Sequence, residues 1–202
     1  AYDLAIQAEA AVMSVTGSED QTSKAGFPAA DIAAAMYAFS GVLAALYQRS
    51  ETGRGECLSV SMLECLAEWM SAPTYAARET GNVPVRAGHR HAFIAPYGVL
   101  SLADNSQILI AIQTEEEWCS FCAEVIDSSD LQNHPTFSAN ETRIANVEQL
   151  ETVLTERLSQ IDADLVRTRL KKHQLASAQL NDTEGLWNHE KMRANGFRMD
   201  VD

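Results

Sequence analysis

Apolar residues return at helical spacing through residues 3–15, where Leu4, Ala8, Ala11, Val12 and Val15 share a face. Ala, Gln and Glu fill the remaining positions and favour the same conformation. Residues 16–30 are rich in Gly, Ser, Thr and Asp and predict a loop. From about Asp31 to Arg49 the chain is apolar nearly all round, which predicts a helix buried on every side. Its many Ala residues admit close neighbours, and Glu51-Thr52-Gly53-Arg54-Gly55 ends it. Residues 56–61 alternate around Leu58 and Val60 and read as a strand, followed by a helix over about 62–79. This succession predicts an α/β layer with helices on a mostly parallel sheet.

The pattern changes near Thr80, where Gly81, Asn82, Pro84 and Gly88 mark a linker. Two strand-like runs follow, Tyr97–Leu102 and Gln107–Ile112, joined by Ala103-Asp104-Asn105-Ser106 as a hairpin. Thr114 and Glu117 have capping-box spacing for a helix running to about Ile126. Residues 144–159 carry a one-sided stripe of Val147, Leu150, Val153, Leu154 and Leu158, and Asp162 caps a further helix through Lys172. Residues 175–180 form a weaker strand candidate. The predicted division is a first domain over 1–84, a small α+β domain over 85–185 and a linker helix over 186–202.

Composition narrows the function classes. Hydrophobic residues make up 46% of the 202-residue chain and charged residues 21%, the balance of a folded globular protein rather than a disordered one. The formal net charge of -13 argues against nucleic acid and anionic membranes as partners. The densest basic run, Arg167, Arg169, Lys171 and Lys172, reads as one exposed helix face. The longest apolar run, Ile32 to Tyr47, is shorter than the ~20 residues of a membrane span. No basic stretch precedes an apolar run at the N-terminus, so no signal peptide is predicted. Cysteines 57, 65, 119 and 122 lack disulfide-framework spacing, and reduced thiols in a cytoplasmic protein are the simpler reading.

Asp31 reads first as an N-cap, its carboxylate accepting from free amides at the start of the 32–49 helix. The same place suits a functional carboxylate, because a helix N-terminus stabilises negative charge. Gly53 and Gly55 follow a helix and precede a strand, the reverse of a phosphate loop, and read as a turn. His89, Arg90 and His91 form a local cluster behind Gly88, whose lack of a side chain permits close approach to a ligand; a solvated interdomain linker accounts for the same residues. No Asp, Glu or Cys stands at ligand spacing from these histidines, so no metal site is predicted. Cys119 and Cys122 match C-x-x-C but fall inside a predicted helix, where they read as buried structural residues.

An ordered set of motifs adds to this reading. Gly26-Phe27-Pro28-Ala29-Ala30-Asp31 is followed by an Ala-rich helix ending Ala45-Leu46-Tyr47-Gln48-Arg49, then Thr52-Gly53-Arg54-Gly55, then Ser61-Met62-Leu63-Glu64. Upstream stands Tyr2-Asp3-Leu4-Ala5, and downstream Gly88-His89-Arg90-His91 and Ala95-Pro96-Tyr97-Gly98. The set resembles the family III CoA-transferases, the formyl-CoA transferase and α-methylacyl-CoA racemase superfamily. The resemblance implies part of a large Rossmann-like α/β domain followed by a small α+β domain. It implies Asp31 as the nucleophile on an acyl-CoA thioester, forming a mixed anhydride on the way to a carboxylic acid acceptor. Tyr2 and Met62 align near the CoA thiol end, and the Gly88–His91 segment with a flexible cover over the reacting aspartate. No cofactor is implied, CoA thioester being the substrate. An interlocked homodimer is implied for the full-length form. The family's nucleotide-binding segment before Tyr2 and its C-terminal return are not among these residues, so a fragment is expected. A racemase would carry His where Tyr2 stands. A non-catalytic interaction module, with Asp31 only capping, is the rival of a different class.

Overall fold

The computed structural model describes residues 2–196. Two compact units meet at Ala92 and Phe93. The first is built of helices and extended chain, and the second holds a sheet flanked by helices, so the class is mixed α/β. The predicted 186–202 helix falls partly outside the described residues. Within them, short helices cover Thr183–Trp187 and Glu190–Ala194.

In the first unit, α1 (Asp3–Glu9) and α2 (Val12–Val15) replace the single helix expected over 3–15. Ala11 between them is left-handed, with φ 60°. Such a residue costs about 1–2 kcal/mol. The bend turns Val12 and Val15 onto a cluster of Ile6, Ala10, Ala29, Ala30, Leu66 and Met70, and that burial offsets the strain. Helix α3 (Ala29–Thr52) ends at Gly53, whose φ of 69° suits a glycine and whose amide donates to the Arg49 carbonyl at 2.9 Å.

The helix expected over 62–79 is two, α4 (Met62–Trp69) and α5 (Ser71–Thr80). Pro73 explains the break, because its ring opposes the Trp69 carbonyl and it has no amide to donate there. Ser61 caps α4 by accepting from the Glu64 amide at 3.3 Å.

Three expectations are corrected here, the first being the mostly parallel sheet: among the described residues the first unit holds no strand, and the sheet of the second is antiparallel throughout. Residues 56–61 are not a strand; no strand among the described residues pairs with them, and a strand exists only by pairing. Helix α3 is not buried on all sides. Only Ala29, Ala30 and Ala33 are buried, while Met36, Phe39, Val42, Leu43, Leu46 and Tyr47 are exposed. No described residue covers its outer faces.

In the second unit, β1 (Tyr97–Ser101) and β2 (Gln107–Ala111) form the expected hairpin, with Tyr97 opposite Ala111. Asn105 takes the left-handed turn conformation, and Asp104 accepts from the amide and hydroxyl of Ser106. Helices α6 (Glu115–Ser120), α7 (Ser129–Gln132), α8 (Asn140–Ala145), α9 (Val147–Leu158) and α10 (Ala163–Lys172) follow, and then β3 (Ala176–Gln179), antiparallel to β2. The capping box at Thr114 and Glu117 is present, and Asp162 caps α10. A single wide turn over Phe121–Val125 continues α6 and buries Phe121, Cys122 and Val125. The core joins Leu100, Ile108 and Ile110 of the sheet to Leu150, Leu154 and Leu158 of α9 and to Val166 and Leu170 of α10.

Candidate active site around Asp31

The start of α3 is organised from α1. Asp3 lies in the first turn of α1, and Gln7 lies one turn on, on the same face. Gln7 is fully buried. Its Nε2 donates to Asp3 Oδ2 at 2.7 Å and to the Phe27 carbonyl at 3.3 Å, while its Oε1 accepts from the Ala25 amide at 2.9 Å. Asp3 Oδ1 then accepts from the Ala30 amide at 2.8 Å. That amide is one of the four at a helix start that have no partner inside the helix.

This corrects the reading of Asp31 as N-cap. Pro28 is the N-cap residue, and Asp31 is the third residue of the helix. The capping bond comes from Asp3, 27 residues away in the chain. Among the described residues nothing hydrogen-bonds or ion-pairs with the Asp31 carboxylate, which is exposed in the first turn of a 24-residue helix. The helix dipole favours negative charge there. An exposed carboxylate with no partner, held on a rigid first turn, can act as a nucleophile or bind a cation.

Tyr2 is the N-cap residue of α1, 85% exposed, and adjoins Asp3. The Asp3–Ala30 bond therefore ties the Tyr2-Asp3 pair to the Ala30-Asp31 pair. Met62, the first residue of α4, packs on the cluster that contains Ala29 and Ala30. Tyr2, Asp31 and Met62 thus stand on helix starts joined to one core.

The Gly88–His91 segment is anchored elsewhere in the unit. The Gly88 amide donates to the Gly17 carbonyl at 2.9 Å, and the Arg90 amide closes a turn onto Ala87 at 3.0 Å. Gly88 has φ 62°. Arg86 donates to the Ser18 carbonyl at 2.8 Å and the Glu19 carbonyl at 2.5 Å. The loop it grips is itself tightly made: Gly17 has φ 115°, and a Cβ there would clash with the Gln21 carbonyl oxygen. The loop continues to Ala25 and Phe27, which Gln7 holds, and then to Asp31. The segment is thus docked on the loop that leads to the aspartate.

Asp3, Gln7 and Arg86 were missed as functional candidates. The signal present in the sequence was the i, i+4 spacing of Asp3 and Gln7; the face expected to pack, Leu4, Ala8 and Ala11, is exposed, and α1 buries Ile6 and Gln7 instead. An open cleft of about 450 Å³ lies further along α3, lined by Tyr37, Gly41, Leu58, Val60, Glu64 and Cys65 among others, and does not include Asp31. No group of three or more His, Cys, Asp or Glu among the described residues is arranged to hold a metal ion. Burial pushes the Cys122 thiol up to about 12, which removes it from redox or nucleophilic work near neutral pH.

Comparison with known proteins bears on the same residues. The model of CoA-transferase family III matches residues 1–202. The chain is 31% identical over 161 residues to an acetyl-CoA:oxalate CoA-transferase of Acetobacter aceti, covering 79% of this chain and 41% of that protein. It is 27% identical over 203 residues to a succinate–glutarate CoA-transferase of Agrobacterium fabrum, covering 100% of this chain and 50% of that protein. The crystal structure of a CAIB/BAIF family protein from Brucella suis matches with a TM-score of 0.84 at 26% identity, over 98% of this chain and 52% of that one. The chain therefore spans about half the length of the relatives it matches.

Proposed function

Because the chain belongs to CoA-transferase family III, we propose that it carries the nucleophile of an enzyme that moves CoA from an acyl-CoA to a carboxylic acid, and that this nucleophile is Asp31. An Asp31 carboxylate oxygen bonds to the thioester carbonyl carbon, the C–S bond breaks, and CoA leaves as thiolate with the electron pair. The product is a mixed anhydride. The thiolate then bonds to the Asp31 carbonyl carbon and releases the donor acid as carboxylate. The acceptor carboxylate repeats the two steps in reverse and leaves Asp31 free. No net proton is gained or lost, so the site needs to position reactants rather than to supply a general base. Covalent capture divides one hard exchange into easier ones.

The observation that carries the reading is the exposed, unpartnered Asp31 carboxylate on the first turn of α3. The helix start also favours the departing thiolate. Tyr2 and Met62 are assigned to the thiol end of CoA, and Gly88, His89, Arg90 and His91 to the cover over the reacting aspartate. The His and Arg of that segment suit a carboxylate-bearing acyl group. Relatives named as acting on oxalate, succinate and glutarate support a short dicarboxylic acid on one side of the exchange.

The proposed assembly is an interlocked homodimer of the full-length protein. The exposed apolar side chains of α3 support it, because they need a cover. Helix α3 is long and apolar enough, by length and composition, to cross a membrane. Its Ala-rich face against α1 and α4 supports packing in protein instead. Four free cysteines among the described residues support a cytoplasmic location.

The test supplies the intact protein with a radiolabelled acyl-CoA and a panel of carboxylic acids. Movement of CoA between acids, lost in Asp31→Asn, is the expected result. Exchange of the α-proton without transfer would indicate a racemase, and neither activity would indicate a binding module.

A further inference from the structure

We infer that Asp3 is a positioning residue for the nucleophile: aimed by Gln7, its carboxylate holds the first turn of α3 so that Asp31 stays free to react. The inference rests on the reading of Asp31 as nucleophile. Three observations carry it. Asp3 Oδ1 takes the Ala30 amide, the residue immediately before Asp31, at 2.8 Å. Asp3 Oδ2 takes Gln7 Nε2 at 2.7 Å, so both oxygens are engaged and the carboxylate cannot turn. Gln7, with no exposed surface, spends its remaining hydrogen bonds on Ala25 and Phe27, the approach to α3.

The consequence follows from where Asp31 sits. It is the third residue of its helix. The acidic partner of a capping box folds back onto the N-cap amide, but the N-cap here is Pro28, which has none, and the Ala29 amide is taken by the Phe27 carbonyl, so the donor left ahead of Asp31 for its carboxylate to fold back onto is the Ala30 amide. Such a contact would engage the nucleophile and lower its availability. With Asp3 on the Ala30 amide, that competing bond has lost its donor. Gln7 also fixes the 25–27 approach, so the turn that carries Asp31 is held from both sides. Positional error of about 1 Å in a reacting group can cost on the order of a hundredfold in rate.

The pattern of donors and acceptors specifies the test. Asp3→Ala frees the Ala30 amide. Asp3→Asn can still accept from Ala30, but its amide group then faces Gln7 Nε2, donor against donor. Adding Gln7→Glu restores a donor–acceptor pair there and keeps an acceptor for the Ala25 amide, while the 3.3 Å bond to the Phe27 carbonyl is lost. Transfer by the intact protein should show kcat lowered on the order of a hundredfold in Asp3→Ala, with KM for acyl-CoA little changed. Asp3→Asn should be intermediate, and Asp3→Asn with Gln7→Glu should recover part of the loss and exceed either single change. Should Asp3→Ala fail to fold, the Asp3→Asn pair still decides the matter, because it retains the Ala30 bond. If Asp31→Asn itself transfers CoA, the reading of the nucleophile fails. If Asp31→Asn is inactive but Asp3→Ala keeps kcat within about threefold of the unaltered protein, the positioning inference alone fails. If the double variant folds and transfers no better than Asp3→Asn and Gln7→Glu alone, the Asp3–Gln7 pairing does not set the rate and positioning is overturned.

Discussion

Arg143 should be among the most destabilising single truncations in the second unit. Its side chain is 2% exposed. Nε donates to the Ala95 carbonyl at 2.6 Å and Nη1 to the Phe137 carbonyl at 3.0 Å. The two Nη groups meet both carboxylate oxygens of Glu115 at 2.9 Å, and the guanidinium lies 4.9 Å from the Trp118 ring centroid. In Arg143→Ala the Ala95 and Phe137 carbonyls lose buried, charge-assisted partners, at about 1–3 kcal/mol each. Loss of the cation–π contact adds about 1 kcal/mol. Glu115 is half exposed and rehydrates, so its lost pair adds little. The total is about 3–7 kcal/mol, which spans the roughly 3–5 kcal/mol of breaking a buried charged pair. Thermal unfolding followed by Trp fluorescence should show a midpoint lower by more than about 10 °C, or no folded second unit. Arg143→Lys should fall between, because an ammonium cannot reproduce the planar fork. The guanidinium bonds hold the Glu115 carboxyl below the ordinary glutamate range. A depressed folded value means that the pair's stability is present above the unfolded value of about 4.3 and is lost as pH falls through the folded one. The unaltered protein should therefore lose more stability than Glu115→Gln on acidification from about pH 5 to pH 3. A loss below about 1 kcal/mol in Arg143→Ala would refute the reasoning.

Other outcomes are expected on the same grounds. Gly17→Ala puts a Cβ against the Gln21 carbonyl at a residue with φ 115° and should cost about 1–3 kcal/mol in a denaturant titration, whereas Gly53→Ala, left-handed but open, should cost about 1–2 kcal/mol. Cys122, with its thiol pushed up to about 12, should resist iodoacetamide in the folded protein near pH 8, while exposed Cys57 is alkylated, as intact-mass and peptide mapping would show. The purified 202-residue chain should bind CoA weakly or not at all in isothermal titration and should transfer nothing, because its net charge of -13 repels the CoA phosphates and it spans about half of its relatives.

Features written in nearby residues were legible in advance. The β1–β2 hairpin, the capping box at Thr114 and Glu117, the Asp162 cap and the stripe of α9 all depend on residues a few positions apart. The break between α4 and α5 is also local, since the Pro73 ring acts on the preceding turn, but the expected single helix over 62–79 ran through it. Tertiary features were not legible. Residues 56–61 have a strand's alternation, but a strand needs a neighbour to pair with, and no local pattern supplies one. The all-round apolar character of α3 describes what the helix needs, not which residues cover it. At the site, the motif order nominated Asp31, Tyr2 and Met62 as candidates, but the capping role of Asp3 in place of Asp31 depends on a bond spanning 27 residues. The Arg143 network likewise joins residues 28 and 48 positions apart.

The central claim is that Asp31 becomes covalently acylated during transfer. The direct measurement incubates the intact protein with acyl-CoA and hydroxylamine, then maps the peptide containing Asp31 by mass spectrometry. Hydroxylamine attacks the activated Asp31 carbonyl, displaces the acid or thiolate, and leaves a hydroxamate on that residue alone. The account predicts this product at Asp31, dependent on acyl-CoA and accompanied by loss of activity. An enzyme that turns over acyl-CoA under these conditions while Asp31 stays unmodified would contradict it.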